Sequence, residues 1–199
     1  MKSMAIFHED TGHKNLLLAL IEHLNELENL DVNAEALVDF YPMGTKSNFF
    51  KSGCVEYKTV KGRIDSDQIK KVLFVIDADF EKDNAIYGGF SNTQKQLQRV
   101  LNELDIESVC EIFVLCNPNS GEGHLESLLL ETLPEDKRKC IECFVKCSKI
   151  KPQNFYKTIL YNLHKTAYPS ESYYNFEHPH FDNLKQVLRN LFAGTSEAV

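Results

Sequence analysis

Short apolar runs alternate with segments of helical periodicity through the first two thirds of the chain. Four runs have the length of buried strands, at residues 4–7, 36–40, 72–76 and 112–116. Leucines follow the first run at helical spacing, at Leu16, Leu20, Leu24 and Leu27. Such alternation is typical of a parallel sheet between layers of helices. We therefore predict an α/β three-layer sandwich with a mainly parallel sheet of about four strands.

The remaining segments predict mostly helix. Residues 42–70 begin with Pro42, Gly44 and Gly53 as markers of turns and predict a loop-rich region. Ser91 or Asn92 is the expected N-cap of a helix with the apolar face Leu97, Val100, Leu101 and Leu104. Later apolar faces are Phe155, Ile159 and Leu163, and then Phe181, Leu184, Leu188 and Leu191. We predict one domain over residues 1–199, with its core at about 3–130 and C-terminal helical cover at about 131–195.

The segment from Val72 to Asp79 carries the most specific chemical signal. Its apolar run ends in Asp77 and Asp79, with one residue between them. A run that is apolar at every position is typical of a strand covered on both faces. In open parallel sheets, ligands bind outside the carboxyl ends of the strands. Asp77 and Asp79 are therefore candidate ligands of a cation at that edge.

Acidic residues also follow two other predicted strands. Glu9 comes directly after the first strand, and Glu126 lies after the fourth, where a Leu-rich helix begins. Because the carboxyl ends of parallel strands share one edge, we expect both glutamates to converge with Asp77 and Asp79. Hard divalent cations prefer oxygen ligands, so the predicted cofactor is Mg²⁺ or Mn²⁺.

An acidic site of this kind points to phosphodiester or nucleotide chemistry. Mg²⁺ is commonly held by one or two carboxylates together with waters and phosphates. Two ions about 4 Å apart would stabilise the attacking and leaving oxygens of a phosphoryl transfer. A carboxylate that binds no metal could transfer a proton. The expected partner is a nucleic acid or a nucleotide.

At these residues the chain resembles the TOPRIM domain family, the fold shared by primases, topoisomerases and OLD-type nucleases. Glu9 matches the glutamate after the first strand of that family, and Asp77-Ala78-Asp79 matches its Asp-x-Asp motif. The Gly-x-Leu-Glu element at residues 123–126 resembles the third acidic element of the OLD-like branch and of small bacterial TOPRIM-like proteins. The family motif has glycine directly after the glutamate, whereas here Asp10 and Thr11 stand between Glu9 and Gly12. The resemblance covers roughly residues 3–130.

The resemblance implies a Rossmannoid TOPRIM-like fold with a Mg²⁺ site. In that family the glutamate is a general acid or base, which implies a catalytic role for Glu9. The aspartates of the family coordinate Mg²⁺, which implies the same for Asp77 and Asp79. We expect Glu126 and Glu9 to contribute to the same metal site.

Structural roles compete with these chemical ones. Aspartates favour turns and helix caps, and Asp10 is better explained as the N-cap of the first helix than as a ligand. Glu126 alone could be a first-turn residue favoured by the helix dipole. Three cysteines recur at helical spacing and predict a buried helix face rather than a metal site, at Cys140, Cys143 and Cys147.

Histidines and aromatic residues near these segments also have simple explanations. His8, His13 and His124 lie beside the acidic segments, and we expect them to be surface or hydrogen-bonding residues rather than ligands. The aromatic stretch from Tyr168 to Phe181 could stack on bases, but packing of a loop against the domain is the preferred interpretation.

Composition and charge limit the compartment and the partners. The net charge of −7 opposes nonspecific attraction to nucleic acid. No basic N-terminal stretch precedes an apolar signal segment, and no apolar run approaches the ~20 residues that span a bilayer. We therefore predict a cytoplasmic protein with reduced cysteines and no membrane partner.

Three functions stay open at this point. The first is a Mg²⁺-dependent TOPRIM-like nuclease or nucleotide hydrolase, with Glu9 as the proton-transfer group. The second is a noncatalytic module on the same fold that binds a nucleotide or another partner, which the lack of a basic cluster near the acids favours. The third is a glycosyltransferase, since an Asp-x-Asp after an apolar strand also chelates Mn²⁺ for a sugar nucleotide. Such a function gives Glu9 no role.

Overall fold

The structure is a computed structural model that describes residues 2–28, 32–149, 160–167, 170 and 172–194. The strands in these ranges are Met4–His8 (β1), Val38–Pro42 (β2), Lys71–Asp77 (β3) and Cys110–Leu115 (β4). They form one sheet in the order β2-β1-β3-β4, and every neighbouring pair is parallel. The predicted α/β fold with a mainly parallel sheet of four strands is therefore confirmed.

Helices surround this sheet on both faces and continue to the C-terminal part of the chain. The α-helices of the described ranges are Thr11–Glu28 (α1), Ala34–Leu37 (α2), Lys46–Phe49 (α3), Val55–Asp65 (α4), Phe90–Leu104 (α5), Leu125–Glu131 (α6), Glu135–Ser148 (α7), Tyr161–Ala167 (α8) and Asp182–Phe192 (α9). Two short 3-10 helices are Glu107–Val109 and Pro179–Phe181.

Successive residues of β3 point to opposite faces of the sheet and enter two separate cores. Leu73 and Val75 pack with the leucines of α1 and α9, whereas Phe74 and Ile76 pack with residues of α4 and α5. Because both faces are covered, a strand in this position has to be apolar at every residue. The result is a three-layer arrangement with the sheet in the middle, and it places the ends of β1 and β3 side by side.

The second strand begins at Val38 rather than at Ala36, where the sequence predicts it. The cause is a helix cap that the apolar run conceals. Asn33 accepts a hydrogen bond from the backbone N–H of Ala36, at 3.0 Å from its side-chain oxygen. This cap starts α2, so Ala36 and Leu37 are helical and the strand begins only after them.

The predicted N-cap of α5 is also wrong. The helix begins at Phe90, so Ser91 and Asn92 lie within its first turn. Gly89 occupies the cap position with φ of +82°, which is a conformation that favours glycine. The side chain of Asn92 instead donates to the backbone oxygen of Gly88 at 2.9 Å.

The region that the sequence predicts as loop-rich contains two helices, α3 and α4. In α4 only Tyr57 and Val60 are buried, so the helix has a weak apolar stripe. The fourth strand is Cys110–Leu115, slightly earlier than residues 112–116.

The three cysteines of α7 do not form a buried face. Cys140, Cys143 and Cys147 are all exposed, which contradicts the prediction of core packing. The buried residues of this helix are Ile141 and Val145, which are more strongly apolar and lie on a neighbouring stripe.

The C-terminal segments follow the predicted helical pattern where they are described. Leu163 lies in α8, whereas Phe155 and Ile159 fall outside the described residues. The second apolar face is buried at Phe181, Leu184, Leu188 and Leu191. Within the described ranges, no helix has both the length and the apolar character that crossing a membrane requires.

Candidate metal centre

Asp77 is the last residue of β3, and its buried carboxylate joins three elements of the fold. Only 2% of its surface is exposed. The carboxylate oxygen Oδ1 accepts a hydrogen bond from the backbone N–H of Leu125 at 2.9 Å, at the start of α6. The same oxygen lies 3.0 Å from Nε2 of His13, in the first turn of α1. These two bonds fix the orientation of the carboxylate at the edge of the sheet.

His13 is buried and is paired with Asp77 rather than exposed. Burial lowers the pKa of His13, but the Asp77 carboxylate outweighs it and raises that pKa to about 9. The backbone N–H of Glu9 donates to Nδ1 at 3.3 Å, a bond that only the neutral ring can accept, so protonation of His13 requires the charge of Asp77 to outweigh the loss of this bond. The backbone N–H of His13 donates to Oδ1 of Asp10 at 3.2 Å. That contact confirms Asp10 as the N-cap of α1.

Asp79 lies on a left-handed turn that is tied to the segment before α6. Its φ is +57°, a conformation that aspartate tolerates better than most residues. Asp79 donates its N–H to the carbonyl of Gly123 at 2.6 Å, and the N–H of Gly123 donates back at 2.9 Å. Gly123 has φ of +98°, and a Cβ there would collide with the side chain of Ser127. The glycine of the Gly-x-Leu-Glu element therefore has a structural role beside the aspartates.

Lys46, at the start of α3, is the residue of this site that sequence reasoning missed. It is only 9% exposed. Its Nζ donates to the carbonyl of Ala78 and lies 3.5 Å from Oδ2 of Asp79. Burial lowers the pKa of the Lys46 ammonium. The carboxylates of Asp79, Asp77 and Glu9 act on this ammonium in the opposite direction.

Glu9 follows β1 and is half-buried, and its charge acts on the same ammonium. Its backbone oxygen accepts a hydrogen bond from the N–H of Gly44 at 2.9 Å, so the pairing of β1 with β2 continues past both strands. This backbone contact brings the loop that carries Lys46 alongside Glu9. The sequence marks Lys46 only by its position. It follows the end of β2, and no acidic segment follows that strand.

Glu126 is the fourth predicted ligand. It is the second residue of α6 and is half-buried. Its carboxylate contributes to raising the pKa of Tyr173 and of Tyr174, although burial is the largest cause for both. The role of Glu126 as a metal ligand stays a prediction.

The Lys46 ammonium thus contacts Asp79, and the charges of Asp77 and Glu9, which come from adjacent strand ends, also act on it. No three His, Cys, Asp or Glu side chains in the described part of the chain already stand in a metal-holding arrangement. The chemistry of the donors nevertheless fits Mg²⁺, because Glu9, Asp77 and Asp79 supply carboxylate oxygens. Asp77 is also oriented by hydrogen bonds from behind, as metal-binding carboxylates usually are.

A cavity of about 610 Å³ opens along the outer edge of β4, next to this site rather than inside it. Its floor includes Ile112, Phe113 and Val114 of the edge strand, and Phe90 of α5 forms part of its wall. Glu81 and Gly121, from the loops that follow β3 and β4, also line it. Cavities of this size accommodate small ligands. The four predicted ligands do not line it, so the acidic site lies beside this cavity.

Aromatic residues of the C-terminal part mostly pack as the sequence predicts. Phe176 and Phe181 are buried in the core beneath α1 and α9.

Comparisons of the chain with protein-family models, with curated proteins and with solved structures find no match. The resemblance to the TOPRIM family therefore stays a prediction from the motif residues.

Proposed function

We propose that this chain is a Mg²⁺-binding, TOPRIM-like protein that carries out metal-dependent phosphoryl transfer, as a nuclease or a nucleotide hydrolase. The observation that carries the proposal is that Glu9 and the Asp77–Asp79 pair follow adjacent parallel strands at the carboxyl edge of the sheet, where the Lys46 ammonium lies 3.5 Å from Asp79. This edge is where open parallel sheets bind their ligands.

The order of the strands supports the proposed relationship to the TOPRIM family. β1 and β3 are direct neighbours, and His8 pairs with Val75 in their register. The glutamate that follows β1 and the Asp-x-Asp that ends β3 therefore leave adjacent strands. A fold that separated these two strands would leave the motifs without a common site.

The residues divide the chemical work in the following way. Asp77 and Asp79 would hold Mg²⁺, and Asp77 is suited to this because two hydrogen bonds stabilise its charged form. Bound Mg²⁺ would supply positive charge to a phosphoryl oxygen of the substrate. Glu9 lies at the same edge and moves the proton of the attacking water. Glu126 remains a candidate further ligand from the start of α6.

A second candidate function is a noncatalytic module that binds a nucleotide or another partner at the same site. The ion pair between Lys46 and Asp79 favours it, because an ammonium already neutralises part of the acidic cluster. In this alternative the site binds ligands without turnover.

Isothermal titration calorimetry with Mn²⁺ tests the metal site. Asp77→Asn keeps the shape of the side chain and removes its charge, so we expect a loss of Mn²⁺ affinity. The affinity is measured on protein that circular dichroism shows to be folded, because this substitution also breaks the buried pair with His13. Asp65→Asn is the matched control, because Asp65 is an exposed residue at the end of α4, just before β3 begins. Equal affinity of wild type and Asp77→Asn would refute the metal site.

Turnover assays over nucleic acids and nucleotides with Mg²⁺ or Mn²⁺ separate the two functions. The enzyme proposal predicts phosphodiester or phosphoanhydride cleavage that is lost in Glu9→Gln and in Asp77→Asn. Intact Mn²⁺ binding without cleavage of any substrate selects the noncatalytic module instead.

A further inference from the structure

We propose that the Lys46 ammonium is the resident cation of the acidic site and that a divalent metal ion binds by displacing it. This inference rests on the proposed function, because it assumes that the ion enters among Glu9, Asp77 and Asp79. It adds a residue that controls how tightly the site binds metal.

The position of Lys46 is the first argument. Its side chain is about nine-tenths buried and reaches from α3 to the turn between the two aspartates. There Nζ donates to the carbonyl of Ala78 and lies 3.5 Å from the Asp79 carboxylate. The ammonium thus lies against the Asp-x-Asp motif itself, beside an oxygen that Mg²⁺ would need.

Electrostatics provides the second argument. Mg²⁺ bound by these aspartates would have its oxygens at about 2.1 Å. An ion at that distance from Asp79 would lie within a few ångströms of the ammonium, and two cations so close in a buried place repel each other strongly. An Asp79 carboxylate that coordinates the ion cannot keep its ion pair with the ammonium, so the ion and Lys46 compete for Asp79.

The surroundings of Lys46 permit its departure. Lysine has a flexible four-carbon stem, and α3, which carries it, is only four residues long. The carbonyl of Ala78 would keep a donor, since it also accepts from the N–H of Gly89 at 3.0 Å. The carbonyl of Ala78 therefore keeps a hydrogen bond when the ammonium withdraws.

Competition and simple support of the turn predict effects of opposite sign. If Lys46 competes with the metal, its removal tightens metal binding. If Lys46 mainly holds the Asp-x-Asp turn in shape, its removal weakens metal binding. The sign of the change in Mn²⁺ affinity therefore decides between the two roles.

The first experiment measures the dissociation constant of Mn²⁺ for wild type, Lys46→Met and Lys51→Met by calorimetry. Lys51→Met is the control because it changes the net charge by the same amount as Lys46→Met. The Lys51 side chain is exposed, and its described hydrogen bond is to the side chain of Asn48. We expect Lys46→Met to bind about tenfold more tightly or better, and Lys51→Met to stay within about twofold of wild type. If wild type binds Mn²⁺ and folded Lys46→Met binds it equally or more weakly, displacement of Lys46 is overturned, but the proposed metal site is not. Absence of Mn²⁺ binding in all three proteins overturns the proposed metal site as well.

The second experiment uses the wild-type protein and decides the matter if Lys46→Met does not fold. Lysines are acylated with acetic anhydride, and the extent at each position is read by mass spectrometry. Without metal we expect Lys46 to be protected relative to Lys51. Saturating Mn²⁺ should raise labelling of Lys46 severalfold and leave Lys51 unchanged. Unchanged labelling of Lys46 with Mn²⁺ bound contradicts displacement.

Discussion

His13 and Asp77 form a buried pair at the joint between α1 and β3, with Nε2 of the histidine 3.0 Å from Oδ1 of the aspartate. The side chains are 2% and 3% exposed, respectively. Because the pair lies under the proposed metal site, it fixes the position of the central carboxylate. It also means that the stability of the fold and the geometry of the site depend on the same contact.

Removal of the histidine should therefore destabilise the protein strongly. His13→Leu keeps a side chain of similar size but leaves the Asp77 charge without its imidazole partner. We expect the free energy of unfolding to fall by about 3 kcal/mol, the usual cost of breaking a buried ion pair from one side. Urea denaturation in EDTA measures this.

His23→Leu is the control for that measurement. His23 is paired with Glu177, whose side chain is 73% exposed, so its loss should cost less than about 1 kcal/mol. Equal losses for the two variants would show that the His13 pair makes no special contribution.

The same pair predicts how stability depends on pH. The pKa of His13 is raised from 6.5 to about 9 in the folded state. The stabilisation is therefore fully present below the unfolded-state pKa and is lost as pH rises through about 9. The difference in unfolding free energy between wild type and His13→Leu should shrink as the pH rises from about 6 to about 10. A constant difference over that range would argue against a charged pair.

Gly123 offers a test of the backbone that supports Asp79. In Gly123→Ala the new Cβ would collide with Ser127, and φ of +98° disfavours any residue other than glycine. We expect a loss of about 1–3 kcal/mol in unfolding free energy, together with weaker Mn²⁺ binding. Gly53→Ala is the control, because a Cβ added at Gly53 would have no atom of the described residues within 4 Å beyond its chain neighbours. If both variants matched wild type, the contact between Gly123 and Asp79 would not be needed.

The exposure of the α7 cysteines can be tested by thiol titration of the native protein. Cys140, Cys143 and Cys147 are exposed and should react rapidly with an aromatic disulfide reagent. Cys110 is half-buried, and burial raises its pKa to about 12, so it should react slowly. We expect the triple Cys→Ser variant to lose the fast phase of the reaction. Its free energy of unfolding should change by less than about 0.5 kcal/mol per site. Slow reaction of all six thiols would restore the buried face that the sequence predicts.

The sheet could be predicted from the sequence because burial on both faces leaves a direct record in composition. The run Val72 to Ile76 is apolar at every position since each residue enters one of the two cores. The helix α4 could not be predicted in the same way, because it buries only Tyr57 and Val60. The cysteines of α7 misled the prediction because cysteine is usually a buried residue, while Ile141 fills the core instead.

The candidate site was predictable only in its acidic part. Asp77 and Asp79 stand out because they end an apolar strand. Lys46 is a single lysine in a polar loop, and no periodicity or motif marks it. It reaches the aspartates because the loop after β2 stays paired with Glu9 through Gly44, and this contact exists only in the folded chain.

The most direct measurement of the central claim is a crystal soaked in Mn²⁺, with the ion located by anomalous scattering. The account predicts a peak coordinated by Asp77 and Asp79, with Glu9 beside it and the Lys46 ammonium withdrawn from Asp79. A fully soaked crystal with no peak at this edge of the sheet, and with Lys46 still against Asp79, would contradict the claim that these carboxylates form a metal site.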